Sequence, residues 1–209
     1  MKALFGFLLF ACLLAPLAVS QTEKLERQGK FHGGSEADHQ LWYASYDGKT
    51  DEVISSVEHG ADVNFRGKGD FSPIVIAARN GHLDIVKFLV EHGARVDQRD
   101  NNRKKSALLA AAFKGHYDVV QYVVEKGADL DVQAVNGWTP LHDAAYIGNF
   151  QIVKLLVDRG ARLDLRNERN ETALQTAERG QHDAVRRRQT NATPEEYRQV
   201  IDYLRGHQQ

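Results

Sequence analysis

The side chains of this chain most able to bind a metal or shuttle protons are its nine histidines. Their spacing argues for neither role. His82, His116 and His182 fall on one ladder, Gly81-His82, Gly115-His116, Gly148-Asn149 and Gln181-His182, with steps of 34, 33 and 33 residues. His59 and His92 each precede a glycine, His142 stands in a Thr-Pro-Leu-His run, and His32, His39 and His207 lie towards the ends. No His-Glu-x-x-His spacing occurs, so no zinc site is expected. Gly48-Lys49-Thr50 has the end of a phosphate loop, but Tyr43 stands where its first glycine is required. Asp100-Asn101-Asn102 lacks the glycine and distal glutamate of a calcium loop. There is no Gly-x-Ser-x-Gly elbow, and the single cysteine, Cys12, sits in an apolar leader. Asp47 and Asp143 could converge as a carboxylate pair, yet nothing in the sequence isolates them from water. The reading is a non-enzyme without cofactor or metal.

What remains is recognition chemistry. Tyr46, Arg79, Phe113, Tyr146 and Arg179 are spaced 33, 34, 33 and 33 apart. A second set, Phe71, Lys105, Trp138 and Glu171, has the same rhythm. Large aromatics beside arginine are the residue types that dominate protein interfaces. The elements that position them must repeat with the same period. Gly-Ala pairs recur at Gly60, Gly93, Gly127 and Gly160, and apolar runs recur at Ile85 to Leu89, Val119 to Val123 and Ile152 to Leu156. Several ladders sharing one period define a repeat architecture.

Each repeat reads as two helices. Thr139-Pro140 offers a hydroxyl cap followed by proline at the first helical position. Gly148 and Gly160 stand where helices end, and Ile152, Val153, Leu155 and Leu156 form a helix-period stripe. No unit can bury such a stripe alone, so stacking is compulsory.

Trp138-Thr139-Pro140-Leu141-His142-Asp143-Ala144-Ala145 resembles the signature of ankyrin repeats, as do the endings Gly60 to Asn64 and Gly127 to Asp131. Ser72 to Val75, Ser106 to Leu109 and Thr172 to Gln175 depart from it by lacking the histidine. The resemblance implies an all-α solenoid of about five helix-turn-helix units joined by short β-hairpin loops. It also implies that the His142 ring bonds the backbone of a neighbouring turn. The expected units are 36–64, 65–97, 98–131, 132–164 and 165–207, the third with one extra residue among Asn101 to Lys105. The last carries an insertion of about fifteen residues around 183–193, because Val200 to Leu204 arrives late. Thr193-Pro194-Glu195-Glu196 reads as the capping box of the displaced helix. Arg186-Arg187-Arg188 lies within the insertion.

Family resemblance further implies a concave binding face made of hairpin tips and first helices. Tyr46, Phe71, Arg79, Lys105, Phe113, Trp138, Asp143, Tyr146 and Arg179 are the expected contacts there. The expected partner is another protein; the alternative is a glycan or small ligand stacked on the aromatic row.

Composition bounds the remainder. Of 209 residues, 42% are hydrophobic and 26% charged, with a formal charge of −1, which excludes a disordered polymer and gives no field for nucleic acid. Met1-Lys2 precedes an uncharged stretch from Ala3 to Val19, and Ala18-Val19-Ser20 offers small residues for cleavage before Gln21. This is the pattern of a secretory signal. The expectation is export to the periplasm or beyond, with no membrane insertion after cleavage, and a monomer of 189 residues carrying −2. Residues 21–35 read as a flexible linker before a repeat domain over 36–207. Among ankyrin proteins, the chain resembles signal-bearing bacterial members, which implies a place in envelope stress defence or as an inhibitor of an exported enzyme.

Overall fold

The computed structural model describes residues 33–187 and 192–207. The expected signal segment 1–20 and most of the expected linker lie outside the described residues. Among the described residues, ten α-helices follow one another in five pairs. The first pair is α1 (Glu36–Asp47) and α2 (Thr50–Glu58); the second is α3 (Pro73–Asn80) and α4 (Leu83–Glu91). The third is α5 (Ala107–Lys114) and α6 (Tyr117–Glu125), and the fourth is α7 (Pro140–Tyr146) and α8 (Phe150–Asp158). The last is α9 (Ala173–Arg187) and α10 (Pro194–Gly206). The fold is an all-α solenoid.

Local chemistry starts and stops each helix. Thr139 caps α7 reciprocally with His142, and Thr193 caps α10 with Glu196. Ser35 does the same for α1 with Asp38, so the end of the expected linker is part of the first cap rather than tether. Connections of two residues in the first three pairs and three in the fourth force the helices of those pairs antiparallel. Alanines at Ala77-Ala78, Ala111-Ala112 and Ala144-Ala145 are buried and let neighbouring first helices approach closely. Ile85, Val86 and Leu89, then Val119, Val120 and Val123, then Ile152, Val153 and Leu156 fill the space beneath the second helices. Each large aliphatic side chain contributes ~1.5–3 kcal/mol through burial.

The first helices pack on one another more extensively than the second helices do. The row α1, α3, α5, α7, α9 is therefore the shorter, inner side of the stack. Polar ties between units run along the same side. His82 Nε2 donates to the Tyr46 carbonyl at 3.2 Å, and His116 Nε2 donates to the Arg79 carbonyl at 3.0 Å.

Among the described residues no strand forms, and the expected β-hairpins reduce to tight turns. Each is closed by one backbone hydrogen bond: Gly67 to Phe71, Asp100 to Lys105, Ala134 to Trp138 and Asn167 to Glu171, at 2.9–3.0 Å. The second, Asp100 to Lys105 in the third unit, spans one residue more. Four-residue spans leave too few residues for a ladder. Asp70, Lys104, Gly137 and Asn170 hold the same left-handed position in these turns, with φ between 55° and 72°. Only Gly137 does so without a steric cost.

The fifth unit departs most from its siblings. Helix α9 runs through fifteen residues where α5 has eight. The units before it have glycine at Gly81, Gly115 and Gly148, in the left-handed region, to end the first helix. Gln181 occupies that place in the fifth, so the helix continues. Gly180 lies against α7, where a Cβ would meet the Tyr146 carbonyl oxygen at 2.3 Å. Residues 188–191 of the insertion, and the side chains of Arg186-Arg187-Arg188, lie outside the described residues.

Candidate functional site

Seven of the nine side chains nominated from the sequence line one groove of about 560 Å³: Phe71, Arg79, Lys105, Phe113, Trp138, Asp143 and Tyr146. They come from the turns and first helices of three consecutive units. The groove lies on the inner side because α3, α5 and α7 stand side by side.

Its centre is Phe113, 46% exposed at the end of α5. The ring has Lys105 Nζ at 5.2 Å from its centroid and Lys114 Nζ at 5.6 Å. Such cation–π contacts hold a ring in place while leaving its edge free. Val135, 59% exposed at the tip of the fourth unit's turn, supplies a second apolar contact. Phe71 is partly buried against the core, with the Arg79 guanidinium 5.9 Å from its ring.

Trp138 and Tyr146 belong to a tight cluster. Their rings meet edge to face at 5.5 Å. The Arg179 guanidinium covers both, at 5.4 Å from Trp138 and 4.8 Å from Tyr146. Glu171 accepts from Arg179 Nε at 3.0 Å, and Asp183 accepts from the Tyr146 hydroxyl at 3.2 Å. Burial alone would raise the Glu171 carboxyl, but Asn167 and Arg179 outweigh it and hold the group below its ordinary range. Arg179 therefore does not line the groove; it fastens the rings that do. Tyr46 also lies outside the groove, stacked on Trp42 at 5.9 Å.

Asp143 corrects the sequence reading twice. It is only 2% exposed, so it is isolated from solvent, and its partner is Lys105 at 3.2 Å rather than Asp47, which is exposed. The helical period turns Asp143 from α7 towards α5 and beneath the groove floor. Burial pushes its carboxyl up to about 6, with Lys105 partly opposing the shift. Beside it, His142 carries a fixed pattern. Its Nε2 donates to the Glu171 carbonyl at 3.0 Å, and its Nδ1 accepts from the Thr139 hydroxyl at 2.8 Å. Burial holds this imidazole below its usual pKa, and protonating Nδ1 would break the cap of α7.

Sequence reasoning missed Arg103, Val135, Asn136 and Glu168, all on the groove's rim. Val135 left a signal. The equivalent turn positions are Lys68, Asn102 and Glu168, all polar. Among the described residues, no three of His, Cys, Asp and Glu come together as a metal site. None of the described helices is long and apolar enough to cross a membrane.

Family comparison places the repeat pattern in context. A model described as ankyrin repeats (3 copies) matches residues 41–134, and one described as ankyrin repeats (many copies) matches 123–177. The chain is 42% identical over 71 residues to alpha-latrocrustotoxin-Lt1a of Latrodectus tredecimguttatus, covering 34% of this chain and 5% of the toxin. It is 37% identical over 62 residues to an ankyrin repeat-containing protein of Schizosaccharomyces pombe, covering 30% of each. A rat Arf-GAP with coiled-coil, ANK repeat and PH domains is 36% identical over 63 residues, covering 29% of this chain and 8% of that protein. The similarity thus spans less than a third of each of these curated relatives.

Proposed function

From the premise that this chain belongs to the ankyrin-repeat family, whose repeats are protein-interaction modules, we propose that it is an exported, non-enzymatic binding protein. It holds a partner protein in the groove across its second, third and fourth units. The observation that carries this reading is the placement of Phe113 and Val135. Both are large apolar side chains, both are about half exposed or more, and both stand in one hollow built of turns and first helices. Neither contributes to the core, so neither has a reason to be apolar for folding. A rim of arginine and lysine around an apolar centre is the anatomy of a protein interface.

The same geometry counts against glycan stacking. A sugar needs an open ring face, and Trp138 has Arg179 over its ring and Tyr146 against it. Export rests on Met1 to Ser20 alone, and a role in envelope defence or in restraining an exported enzyme rests on that export. The mature form is proposed to act as a monomer.

Two measurements test the proposal. A reporter enzyme active only after export, fused to the full chain, is expected to be active and to lose activity when residues 2–20 are removed. Cross-linked capture with the wild-type chain is expected to yield a protein that is lost with Phe113→Ala/Val135→Ser and kept with Asp118→Ala on the outer helix α6. A silent reporter refutes export. A captured set indifferent to the groove variant refutes the binding site.

A further inference from the structure

The groove is not electrically neutral ground. Arg79, Arg103 and Lys105 line it with two carboxylates, Asp143 and Glu168. Lys105 is paired with buried Asp143, which removes one charge of each sign from what a ligand would meet. Arg79 and Arg103 are exposed and have no carboxylate within ion-pair distance among the described residues. Lys114 Nζ, 5.6 Å from the Phe113 ring centroid, adds a further cation nearby. Glu168, exposed on the tip of the next turn, is the single acidic charge left on the rim. The hollow is thus locally positive in a chain whose formal charge is −1. Guanidinium groups beside aromatic rings are suited to carboxylate ligands, because the ring shields one face and leaves the N–H fork free.

We infer that the occupant is an acidic segment of a partner protein, with one apolar side chain seated against Phe113 and Val135 and its carboxylates on Arg79 and Arg103. The inference rests on the groove being a protein-binding site and adds the chemistry of what enters it. The apolar centre supplies burial, and the two arginines set the sign of the partner. A lysine-rich segment meets like charge at both, and a neutral one leaves both forks unused.

The test titrates the full chain with three nine-residue peptides, each with a central leucine flanked by glutamates, glutamines or lysines. Backbone amide shifts are read by NMR. The glutamate peptide is expected to bind saturably, with shifts confined to 71, 78–80, 103–106, 113 and 135–138. It should bind at least tenfold tighter than the glutamine peptide and weaken as salt shortens the screening length. Arg79→Glu/Arg103→Glu, with its melting temperature checked, is expected to weaken it at least tenfold. Arg79→Gln/Arg103→Gln serves where charge reversal disturbs folding. If the glutamine or lysine peptide binds as well, the acidic partner is wrong while the protein-binding reading stands. If no peptide shifts the groove at about 1 mM, the inference fails. If a chito-oligosaccharide then shifts the same amides, the protein-binding reading fails with it.

Discussion

Asp143 carries the clearest energetic consequence at the level of single residues. Its carboxyl sits at about 6 because burial disfavours the anion more than Lys105 stabilises it. In the unfolded chain the group titrates near 3.8. The folded state therefore binds more protons across that window. The stabilising contribution is present in full below about pH 4 and is lost as pH rises through 6. His142 works the other way: burial holds it neutral, so its contribution is present above pH 6.5 and is lost on acidification. The two oppose each other in the wild type, and a substitution separates them. Asp143→Asn is expected to melt at or above the wild-type temperature at pH 7.5. Between pH 5 and 7.5, the wild type should lose about 1–3 kcal/mol relative to the variant. Thermal melts at the two pH values check this; a variant that melts lower at pH 7.5 would show that the Lys105 pair outweighs desolvation.

Phe113 and Tyr146 look alike from their spacing and differ in the structure. On sequence alone, replacing both with alanine should change the melting temperature by only a few degrees. Phe113→Ala keeps that expectation, with a change of at most ~1 kcal/mol, because half the ring already meets solvent. Tyr146→Ala is expected to cost about 2–4 kcal/mol, because it removes a packed ring, its edge contact with Trp138 and its bond to Asp183. Chemical denaturation of the two variants side by side decides it.

At the level of elements, the tenth helix is the one most dependent on its own ends. It packs on α8 and α9 and has no helix beyond it in the described chain. Its start is a capping box in which Thr193 and Glu196 exchange hydrogen bonds at 2.6–3.2 Å. Thr193→Ala is expected to cost about 1 kcal/mol and to raise amide exchange at Tyr197 to Leu204 before it does so elsewhere. Uniform acceleration across all helices would instead mean that α10 unfolds only with the whole array. The legibility of elements follows the same logic. Where a cap and a left-handed glycine flank a helix, as for α7 with Thr139 and Gly148, its ends could be read from the residues. Where Gln181 replaces that glycine, the helix overran the expected boundary.

The whole molecule is a chain of neighbours. Leu108 is fully buried in the middle of the stack, and Leu204 is buried at its end. Each leucine-to-alanine change is expected to cost ~2–5 kcal/mol locally. Their reach should differ. Leu108→Ala is expected to lower exchange protection on both sides of α5, whereas Leu204→Ala should release α10 and leave α3 to α6 protected. Identical protection maps would mean a single cooperative globule instead of a nearest-neighbour stack.

The repeat period and the helix pairs were legible in the residues, whereas Asp143 and Phe71, read there as surface, are buried and partly buried. The period and the pairs depend on spacing along one strand of chain: a 33-residue rhythm, a cap three positions before its partner, a stripe every third or fourth residue. What the linear order could not give is how side chains from different units share space. Trp138 and Tyr146 are half closed by Arg179, which comes from the next unit. Asp143 is buried and pairs with Lys105, which comes from the previous one. The groove itself exists only between three units, with Arg103 and Val135 brought to its rim by turns that the motif leaves free to vary. Period sets which positions align, but the distance between aligned side chains is decided by how tightly alanine-lined helices pack, and that is a property of the stack.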